Sequence, residues 1–517
     1  MTQDMVEDTD RQAGPGTDRR RAHDVDVDVD VLIIGAGLSG ISMAGHMGML
    51  APDRSYRILD RRDRLGGTWD LFRYPGVRSD SDMHTLGFAF APWKHDDAIA
   101  DGPAILEYLE QVVQERGIDR HMRFGQEVLR ADWNGRDAAW TIVSRDTRTG
   151  EEIETRARWL YFGSGYYDYD DPHDAQIPGL DAFGGQVVHP QFWPEDLDYS
   201  DKRVVVIGSG ATAITLVPSL AEKAAHVTML QRTPTWMGKG PRRDKWDHRF
   251  RRWLPEKLAY RLTRRKNILL RDYIFNLSRR APDRLADKLR GMARESLGDL
   301  YDPKHFEPPY NPWEQRLCLV PEGDLYKAMR AGKAAIATDR IAGFDADGVK
   351  LASGEHLPAD IVVTATGLRL ALAGKVAISQ NGKPVNFTDR YFYRGTMFSN
   401  LPNLSFVFGY LNASWTLRAD CNARYACEVL NAMARRGADI ALPVLPAADE
   451  PETVEPWDYS SGYLQRARDL MPKVGKDRPW TLAHDYLADK RDFRQRPVED
   501  GVLRFYRVRS DTAEAAE

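Results

Sequence analysis

Apolar runs that end in glycine-rich turns recur along this chain. The stretch DVDVDVDV at 24–31 alternates polar and apolar residues, so its valines share one side and predict an extension of the strand that follows. An unbroken apolar run at 31–34 then meets the turn GAGLSG, and ISMAGHMGML follows with a helix-like composition. The pattern predicts a strand, a tight turn and a helix in that order.

The turn at 35–40 has the spacing of a dinucleotide-binding fingerprint. Gly35 allows the tight turn, Gly37 lets the backbone approach a pyrophosphate, and Gly40 lets the helix pack on the strand. The helix N-terminus then offers free N–H groups to the phosphates. A second apolar strand, YRILD, ends in Asp60 about 20 positions later, where a carboxylate meets ribose hydroxyls. These features predict a bound dinucleotide with free ribose hydroxyls.

The same pattern recurs near residue 203. RVVVIGSGATA places Gly208, Gly210 and Ala213 after an apolar run, and the next run, HVTMLQ, is followed by Arg232 and Thr233. An acid at this place would repel a 2′-phosphate, whereas arginine pairs with it. We therefore expect the second fold to bind NADPH, and a surface arginine after a strand is the plainer alternative.

Aromatic residues follow the first acidic strand. GGTWDLFRYPGVRSDSD at 66–82 has two glycines for close backbone approach and then Trp69, Phe72 and Tyr74. A flat apolar wall suits an isoalloxazine ring, so FAD is favoured over NAD as the first dinucleotide. The chain is thus expected to bind two cofactors, FAD and NADPH.

The order of these motifs predicts an α/β fold with two Rossmann-like dinucleotide-binding domains, for FAD and NADPH, and a helical insertion in the second. We expect a disordered tail at 1–27, a discontinuous FAD-binding domain at 28–172 and 366–517, and a linker at 173–194. The NADPH-binding domain takes 195–240 and 312–365, and the helical insertion takes 241–311. A buried-looking strand, DIVVTATGL near 360, returns the chain to the first domain.

The net charge and the cysteines argue against a nucleic-acid partner and against a dithiol or metal site. The 517 residues carry a formal net charge of -4, which gives no field to attract nucleic acid. Cys318, Cys421 and Cys427 form no C-x-x-C pair, which excludes a flavin disulfide reductase and argues against a zinc site, so no metal is expected. Scattered cysteines also favour a reducing cytoplasm as the location.

We expect no transmembrane segment, because no apolar run approaches the roughly 20 residues that span a bilayer and the polar N-terminus lacks a secretory h-region. In the expected insertion, basic and apolar residues recur at helical spacing, with Trp246 and Phe250 four apart and Trp253 beyond them. A basic amphipathic helix of this kind is typical of a membrane surface. We favour a solvated basic face on a helical wall of the substrate pocket instead.

Two longer motifs resemble those of the type I Baeyer–Villiger monooxygenases. The motif F-x-G-x-x-x-H-x-x-x-W-P is carried by Phe183, Gly185, His189, Trp193 and Pro194. The motif G-G-x-W-x-x-x-x-Y-P-G-x-x-x-D is carried by Gly66, Gly67, Trp69, Tyr74, Pro75, Gly76 and Asp80. The stretches NPWEQRLCLVP and GYLNASWTL add a likeness to the ethionamide-activating branch of that family. The resemblance covers roughly residues 28–510.

The resemblance implies contacts position by position. The FAD contacts are Gly35, Gly37, Ser39, Gly40, Asp60, Gly67, Thr68, Trp69, Leu71, Asp80 and Val128. The NADPH contacts are Arg78, Ser79, Gly208, Ser209, Gly210, Ala211, Thr212, Ala213, Arg232 and Thr233. Many relatives carry a lysine before the catalytic arginine, whereas this chain has Gln315, so its preference for NADPH is expected to rest on Arg232. His189 is expected to tie the connector at 183–194 to its neighbours.

The resemblance also implies the reaction. NADPH reduces FAD, oxygen adds to the flavin C4a carbon, and the peroxide anion attacks a ketone to give an ester or lactone, with sulfoxidation as a side activity. The motif places the catalytic arginine at Arg316, paired with Asp80. Arginine suits this role because it stays charged on burial and stabilises the anion and the developing oxyanion.

Two other functions stay open. A heteroatom monooxygenase would oxidise sulfur or nitrogen through the neutral hydroperoxide, to which a neighbouring cation adds little. A non-catalytic nucleotide-sensing protein would keep the folds without the chemistry, and the intact glycines, Asp80 and Arg316 argue against it. The expected partners are therefore a small ketone or thioether and molecular oxygen.

Overall fold

Two sheets built around parallel strands organise the chain. The computed structural model describes residues 6–8, 27–315, 317–496 and 498–508. Strands alternate with helices around both sheets, so the predicted α/β class with two Rossmann-like folds is confirmed.

Strands outnumber helices in the described part of the chain. The strands are β1 (Val6–Asp8), β2 (Val29–Ile34), β3 (Tyr56–Asp60), β4 (Met122–Phe124), β5 (Gln126–Asn134), β6 (Ala139–Asp146), β7 (Glu152–Phe162), β8 (Gln186–Val188), β9 (Arg203–Ile207), β10 (His226–Gln231), β11 (Met237–Gly240), β12 (Cys318–Pro321), β13 (Ala334–Thr338), β14 (Ile341–Asp345), β15 (Gly348–Leu351), β16 (His356–Pro358), β17 (Ile361–Thr364), β18 (Ala377–Gln380), β19 (Lys383–Pro384), β20 (Phe392–Tyr393), β21 (Met397–Phe398), β22 (Leu404–Phe406), β23 (Ile440–Pro443), β24 (Thr453–Val454), β25 (Val474–Gly475) and β26 (Leu503–Val508). The helices are α1 (Leu38–Leu50), α2 (Thr68–Leu71), α3 (Met83–Leu86), α4 (Gly102–Glu115), α5 (Ala211–Leu220), α6 (Lys245–Trp253), α7 (Glu256–Arg280), α8 (Pro282–Leu297), α9 (Pro303–Phe306), α10 (Asp324–Arg330), α11 (Trp415–Arg436), α12 (Gly462–Arg466) and α13 (Tyr486–Gln495).

The first sheet joins a parallel half to an antiparallel half. Its strand order is β19-β18-β5-β6-β7-β2-β3-β4, and β22 pairs with β7. The first residues of β7 pair antiparallel with β6, whereas its last residues run parallel to β2 and β22. The parallel half therefore presents the carboxyl ends of β2, β3 and β7 along one edge.

The second sheet is wholly parallel, with the order β13-β10-β9-β17-β8. Its central strands are buried on both faces, as shown by Val205, Val206 and Val363 at 1% exposure or less. Burial on both faces explains why these strands read as unbroken apolar runs in the sequence.

Helix α1 is buried along most of its length. Residues 38–47 are all buried, because the helix lies between the first sheet and α11. Its composition is therefore apolar around most of its circumference, as expected for a helix enclosed on several sides.

Helices α6 to α9 occupy the predicted insertion, between β11 and β12 in the chain. β11 and β12 pair in parallel, so the helical segment leaves and returns at adjacent strands. The buried carboxylate of Asp247 anchors α6, since it lies 2.9 Å from His84 Nε2 and accepts a hydrogen bond from Thr263. In the described part of the chain, no helix is long and apolar enough to cross a bilayer.

The Asp-Val alternation joins the first strand only in part. β2 begins at Val29, and residues 24–26 lie outside the described residues. Asp30 accepts hydrogen bonds of 2.9 Å from the backbone and hydroxyl of Ser55, and Asp28 accepts one from the Arg156 backbone. These aspartates therefore fasten the beginning of the strand to its neighbours.

The connector at 183–194 contributes the edge strand β8 to the second sheet. Phe183 is buried against Phe344, as expected of an apolar anchor. Gly185 does not have a positive φ, and a Cβ there would lie 2.4 Å from the Asp360 carbonyl oxygen. Close approach to the sheet, rather than a turn, is therefore the reason for glycine at this position.

The hydrogen bond of His189 stays within the connector. Its Nδ1 accepts from the Gln191 backbone N–H, and its buried Nε2 has no hydrogen-bond partner among the described residues. Burial lowers the pKa of His189, which favours a neutral ring with its proton on Nε2. We expected this histidine to tie the connector to neighbouring elements. That expectation is wrong, because its hydrogen bond lies within the connector.

Candidate functional site

A cavity of about 1110 Å³ runs between the two sheets. Its walls include the turns that follow β2 and β9, so both glycine fingerprints face the same space. Ligands of open α/β sheets bind at the carboxyl ends of the strands, and both ends meet here. The volume exceeds the upper range for one drug-sized ligand, which leaves room for two ligands.

The first turn is held by a close approach of two backbones. Gly35 has φ +101°, and a Cβ there would lie 2.7 Å from the Gly163 carbonyl oxygen. A Cβ at Gly40 would lie 1.8 Å from the Gly35 carbonyl oxygen, which explains the tight packing of α1 on β2. Residues with a side chain do not fit at either position.

The second turn repeats this geometry. Gly208 has φ +140°, and a Cβ there would lie 2.2 Å from the Ala365 carbonyl oxygen, at the end of the adjacent parallel strand β17. A Cβ at Gly210 would meet nothing within 4 Å, although the residue lines the cavity. The turn therefore leaves a cradle in front of the N-terminus of α5 where a phosphate fits.

Asp60 lies at the end of β3 and faces the first turn. One carboxylate oxygen accepts a hydrogen bond of 2.7 Å from the Ala36 N–H, and the other accepts one of 2.9 Å from the Arg62 N–H. Burial nevertheless raises the pKa of Asp60. The acid thus braces the glycine turn and still lines the cavity.

Arg232 and Thr233 follow β10 at the far side of the second turn. The Thr233 carbonyl accepts a hydrogen bond of 2.9 Å from the Ser209 hydroxyl, which ties the end of β10 to the glycine turn. Arg232 is exposed and forms no ion pair with a residue that the structure describes. Its guanidinium is therefore available to an anion bound in the cavity.

The segment 66–80 connects the two nucleotide-binding folds. Its first residues form α2 beside the first turn, but Tyr74 reaches the side chain of Thr212 at the start of α5, and burial raises the pKa of Tyr74 to about 12. A Cβ at Gly76 would lie 1.9 Å from Ser219 Oγ. Arg78 forms an ion pair of 2.5 Å with Asp324 of α10. The second half of this motif is therefore a docking surface for the second fold.

Most of the predicted contact residues line the cavity. They are Gly35, Gly37, Ser39, Asp60, Gly67, Thr68, Trp69, Arg78, Ser79, Asp80, Val128, Gly208, Ser209, Gly210, Ala211, Thr212, Arg232 and Thr233. Gly40, Leu71 and Ala213 stand back from it, and Leu71 packs against the core of the second sheet. Arg316 lies outside the described residues, so the structure places only its expected partner, Asp80, in the wall.

Several buried polar atoms around the cavity have no protein partner. Ser164 Oγ, Thr366 Oγ1 and Arg78 Nη2 are buried in the wall and form no hydrogen bond with a described residue. Buried polar groups are normally paired, so these atoms fit a polar ligand that supplies the missing partners. Together with the open Gly210 cradle, they fit a pair of bound dinucleotides.

The C-terminal third of the chain supplies a wall that the fingerprints do not predict. Trp415 stacks on Tyr166 with ring centroids 4.9 Å apart, and its indole N–H donates to Ser39 Oγ over 2.8 Å. Tyr463 and Arg466 of α12 line the same space. In the sequence, the stretch GYLNASWTL signals this wall only through its family likeness.

The cavity wall contains no pair of thiols, because Cys318 lines it and Cys421 and Cys427 do not. Cys421 and Cys427 lie on α11, and burial raises the pKa of both thiols to about 12, so neither is a ready thiolate. Within the described ranges, no group of three or more His, Cys, Asp or Glu side chains is placed to hold a metal ion.

Comparisons with known proteins identify relatives that match over nearly the full length. Residues 32–248 match the family described as pyridine nucleotide-disulphide oxidoreductase. The FAD-containing monooxygenase EthA of Mycolicibacterium smegmatis is 48% identical over 483 residues, 93% of this chain and 97% of that protein. The probable FAD-binding monooxygenase AlmA of an Acinetobacter species is 44% identical over 485 residues, 93% of this chain and 97% of that protein.

Solved structures share the fold at lower identity. Cyclohexanone monooxygenase from Rhodococcus sp. Phi1, in a crystal structure bound to NADP+, superimposes with a TM-score of 0.65 at 23% identity, over 81% of this chain and 87% of that chain. The match to EthA, by contrast, reaches 48% identity over 93% of this chain. The chain therefore belongs to the family of FAD-containing monooxygenases, in the branch that includes EthA.

Proposed function

We propose that this protein uses NADPH and molecular oxygen to convert ketones to esters or lactones, with sulfoxidation of thioethers as a side activity. The observation that carries the proposal is the shared cavity, because both glycine turns open into it. A dinucleotide on each turn would place its reactive end toward the other. Hydride transfer requires such contact between the two rings.

FAD is assigned to the first turn and NADPH to the second. Gly37 and the N-terminus of α1 would hold the FAD pyrophosphate, and Asp60 would meet its ribose. Gly210 and the N-terminus of α5 would hold the NADPH pyrophosphate, and Arg232 its 2′-phosphate. We assign residues 28–172 and 366–517 to the FAD-binding domain and 195–240 and 312–365 to the NADPH-binding domain.

In the proposed reaction, FAD supplies the redox chemistry and the side chains of the protein stabilise the charge that develops. Bound FAD supplies a hydride acceptor for NADPH and, once reduced, the activation of oxygen. Arg316 would supply a fixed positive charge where negative charge develops on oxygen, and Asp80 would orient it from the cavity wall. The aromatic wall of Trp69, Tyr166 and Trp415 would keep water from this charge, which strengthens its effect.

The ketone assignment rests on a charge rather than on fold alone. An anionic nucleophile attacks a carbonyl, and a preorganised cation stabilises that attack, whereas oxidation of a thioether by a neutral oxidant gains little from it. Arg316 in the family motif therefore favours ketone oxidation over heteroatom oxidation. The name of the NADP+-bound cyclohexanone monooxygenase with the same fold supports this choice.

The variant Arg316→Ala tests the assignment. We expect a loss of ester formation of about 100- to 1000-fold, the usual effect of removing one preorganised charge. Flavin reduction by NADPH survives, and the consumed NADPH appears as hydrogen peroxide. Sulfoxidation suffers less than ketone oxidation, and Arg316→Lys restores little because an ammonium lacks the planar fork.

Arg330→Ala is the matched control, because Arg330 is an exposed arginine at the end of α10 outside the cavity. This variant should retain wild-type rates with ketones and thioethers. Near wild-type ketone conversion by Arg316→Ala would show that another group stabilises the developing charge. Equal losses with ketones and thioethers would favour a heteroatom monooxygenase.

A further inference from the structure

Helices α6 and α7 expose a run of large apolar side chains. Trp253 is 75% exposed and Tyr273 is 63% exposed, and Leu258, Leu262 and Leu269 lie between them at 37–48%. The residues at 258, 262, 269 and 273 follow helical spacing, so they form one stripe on the solvent side of α7. We call Trp253 and these four residues the apolar stripe. Contiguous exposed apolar surface of this kind marks a contact site.

Basic side chains flank the apolar stripe. Arg249, Arg252, Lys257, Arg261 and Arg265 are all exposed, and none forms an ion pair with a residue in the described part of the chain. Within the described stretch 245–273, Glu256 is the one exposed acidic residue, because Asp247 is turned inward and Asp272 is half-buried. The face is therefore both apolar and strongly positive.

The aromatic residues of this face carry cations over their rings. The Arg252 guanidinium lies 5.5 Å from the Trp253 ring centroid, and the Arg249 guanidinium lies 6.0 Å from that of Trp246. Tryptophan beside arginine suits the boundary between headgroups and acyl chains, where the ring meets apolar groups and the cation meets phosphate.

In place of the solvated face favoured from the sequence, we propose that this face of α6 and α7 docks on the surface of an anionic phospholipid bilayer. The positive charge of this face favours an anionic bilayer over a second copy of the chain. A second copy of the chain would place the same basic residues opposite each other across a twofold axis, which is repulsive. An anionic bilayer instead neutralises each of them and buries the stripe at the level of the headgroups.

The opposite face of α7 supports a wall of the cavity. Asn267 donates a hydrogen bond of 2.8 Å to Asp82, and Arg271 donates one of 3.1 Å to the hydroxyl of Ser81, which lines the cavity. The docked face and the cavity wall are thus separated by the width of one helix, about 10 Å. Docking would therefore bring the cavity close to lipid.

Flotation with vesicles tests the proposal. The full-length, FAD-loaded protein is mixed with vesicles of equal parts phosphatidylglycerol and phosphatidylcholine, or of phosphatidylcholine alone, and the bound fraction is measured against salt. We expect binding to the anionic vesicles that weakens as salt rises. Lys257→Glu/Arg261→Glu/Arg265→Glu should reduce partitioning by more than about 100-fold, since each basic residue near such a surface contributes about fivefold.

The leucine variant Leu258→Gln/Leu262→Gln/Leu269→Gln should reduce partitioning by at least about tenfold. Its matched control is Leu300→Gln/Leu470→Gln, which removes two leucines of 51% and 47% exposure away from this face and should bind as wild type. Unchanged flavin absorbance and melting temperature show that each variant is folded.

Three results would overturn the proposal. The first is failure of the wild type to float with anionic vesicles, which includes the case of a face that serves a protein partner. The second is a loss of binding in the control that equals the loss in the leucine variant. The third is a dimer, seen by sedimentation without lipid, that the leucine variant turns into a monomer, which would assign the face to a second copy.

Discussion

At the scale of single residues, the positive charge of Arg232 determines which coenzyme we expect. β10 ends at Gln231, and Arg232 stands where an acid would otherwise meet a free ribose. Gln315, also in the cavity wall, carries no charge that would help to hold a 2′-phosphate. We therefore expect selectivity for NADPH over NADH to depend on Arg232.

The variant Arg232→Ala should raise the KM for NADPH and leave the KM for NADH nearly unchanged. A lost charge-assisted contact costs roughly 1.5–3 kcal/mol, which corresponds to about 10- to 150-fold. Steady-state rates of NADPH and NADH oxidation measure both constants, and NADH is the internal control. Equal changes with the two coenzymes would show that Arg232 does not contact the 2′-phosphate.

The sequence predicts the positions of some site residues but not the contacts that they form. The spacing after Gly40 predicts the position of Asp60, and the structure places it in the cavity wall. The hydrogen bond from Ala36 N–H to Asp60 is not predictable from spacing, because it depends on how the turn folds back toward β3. The same holds for Leu71, which packs on the second sheet instead of lining the cavity.

At the scale of elements, the two strand–turn–helix units share one turn geometry, and we propose a different cofactor for each. Each turn has a glycine of positive φ pressed against the end of a neighbouring parallel strand, at Gly35 and at Gly208. Spacing in the sequence predicts both units, because the turn geometry is local.

Gly35→Ala and Gly208→Ala should therefore separate the two cofactor sites. Purified wild-type protein should be yellow with bound FAD. Because a Cβ clashes with a backbone carbonyl oxygen in each variant, Gly35→Ala should weaken FAD binding and Gly208→Ala should weaken NADPH binding, each by at least about tenfold. Absorbance of retained flavin and titration with NADPH measure the two effects.

Gly48→Ala is the control for both variants, since this residue lies on α1 and a Cβ there would meet nothing within 4 Å. It should keep both cofactors, because alanine is a better helix former than glycine. Loss of FAD in Gly208→Ala together with normal FAD in Gly35→Ala would reverse the assignment of the two turns.

The segment 66–80 makes contacts that its sequence motif does not predict. Its aromatic composition predicts a wall for a flavin, and Trp69 does line the cavity. Phe72 and Tyr74 line it as well. Tyr74, Gly76 and Arg78 also contact α5 and α10 of the second fold. Contacts between distant segments depend on tertiary packing, which spacing within one motif does not encode.

At the scale of the whole molecule, the order of apolar runs predicts two Rossmann-like folds but not how they share a cavity. The antiparallel strands β5 and β6 and the C-terminal wall around Trp415 carry no fingerprint, since their residues are chosen by packing. In the proposed function, the shared cavity is nevertheless the feature that would bring the two nucleotides together for reaction.

The central claim is that NADPH drives the insertion of one atom of molecular oxygen beside a ketone. The most direct test is turnover of cyclohexanone under isotopically labelled ¹⁸O₂, with NADPH consumption and product mass measured together. We predict one labelled oxygen atom in the lactone for each NADPH consumed. A lactone without label, or NADPH consumed with hydrogen peroxide as the sole oxygen product across linear, cyclic and aryl ketones, would contradict the account.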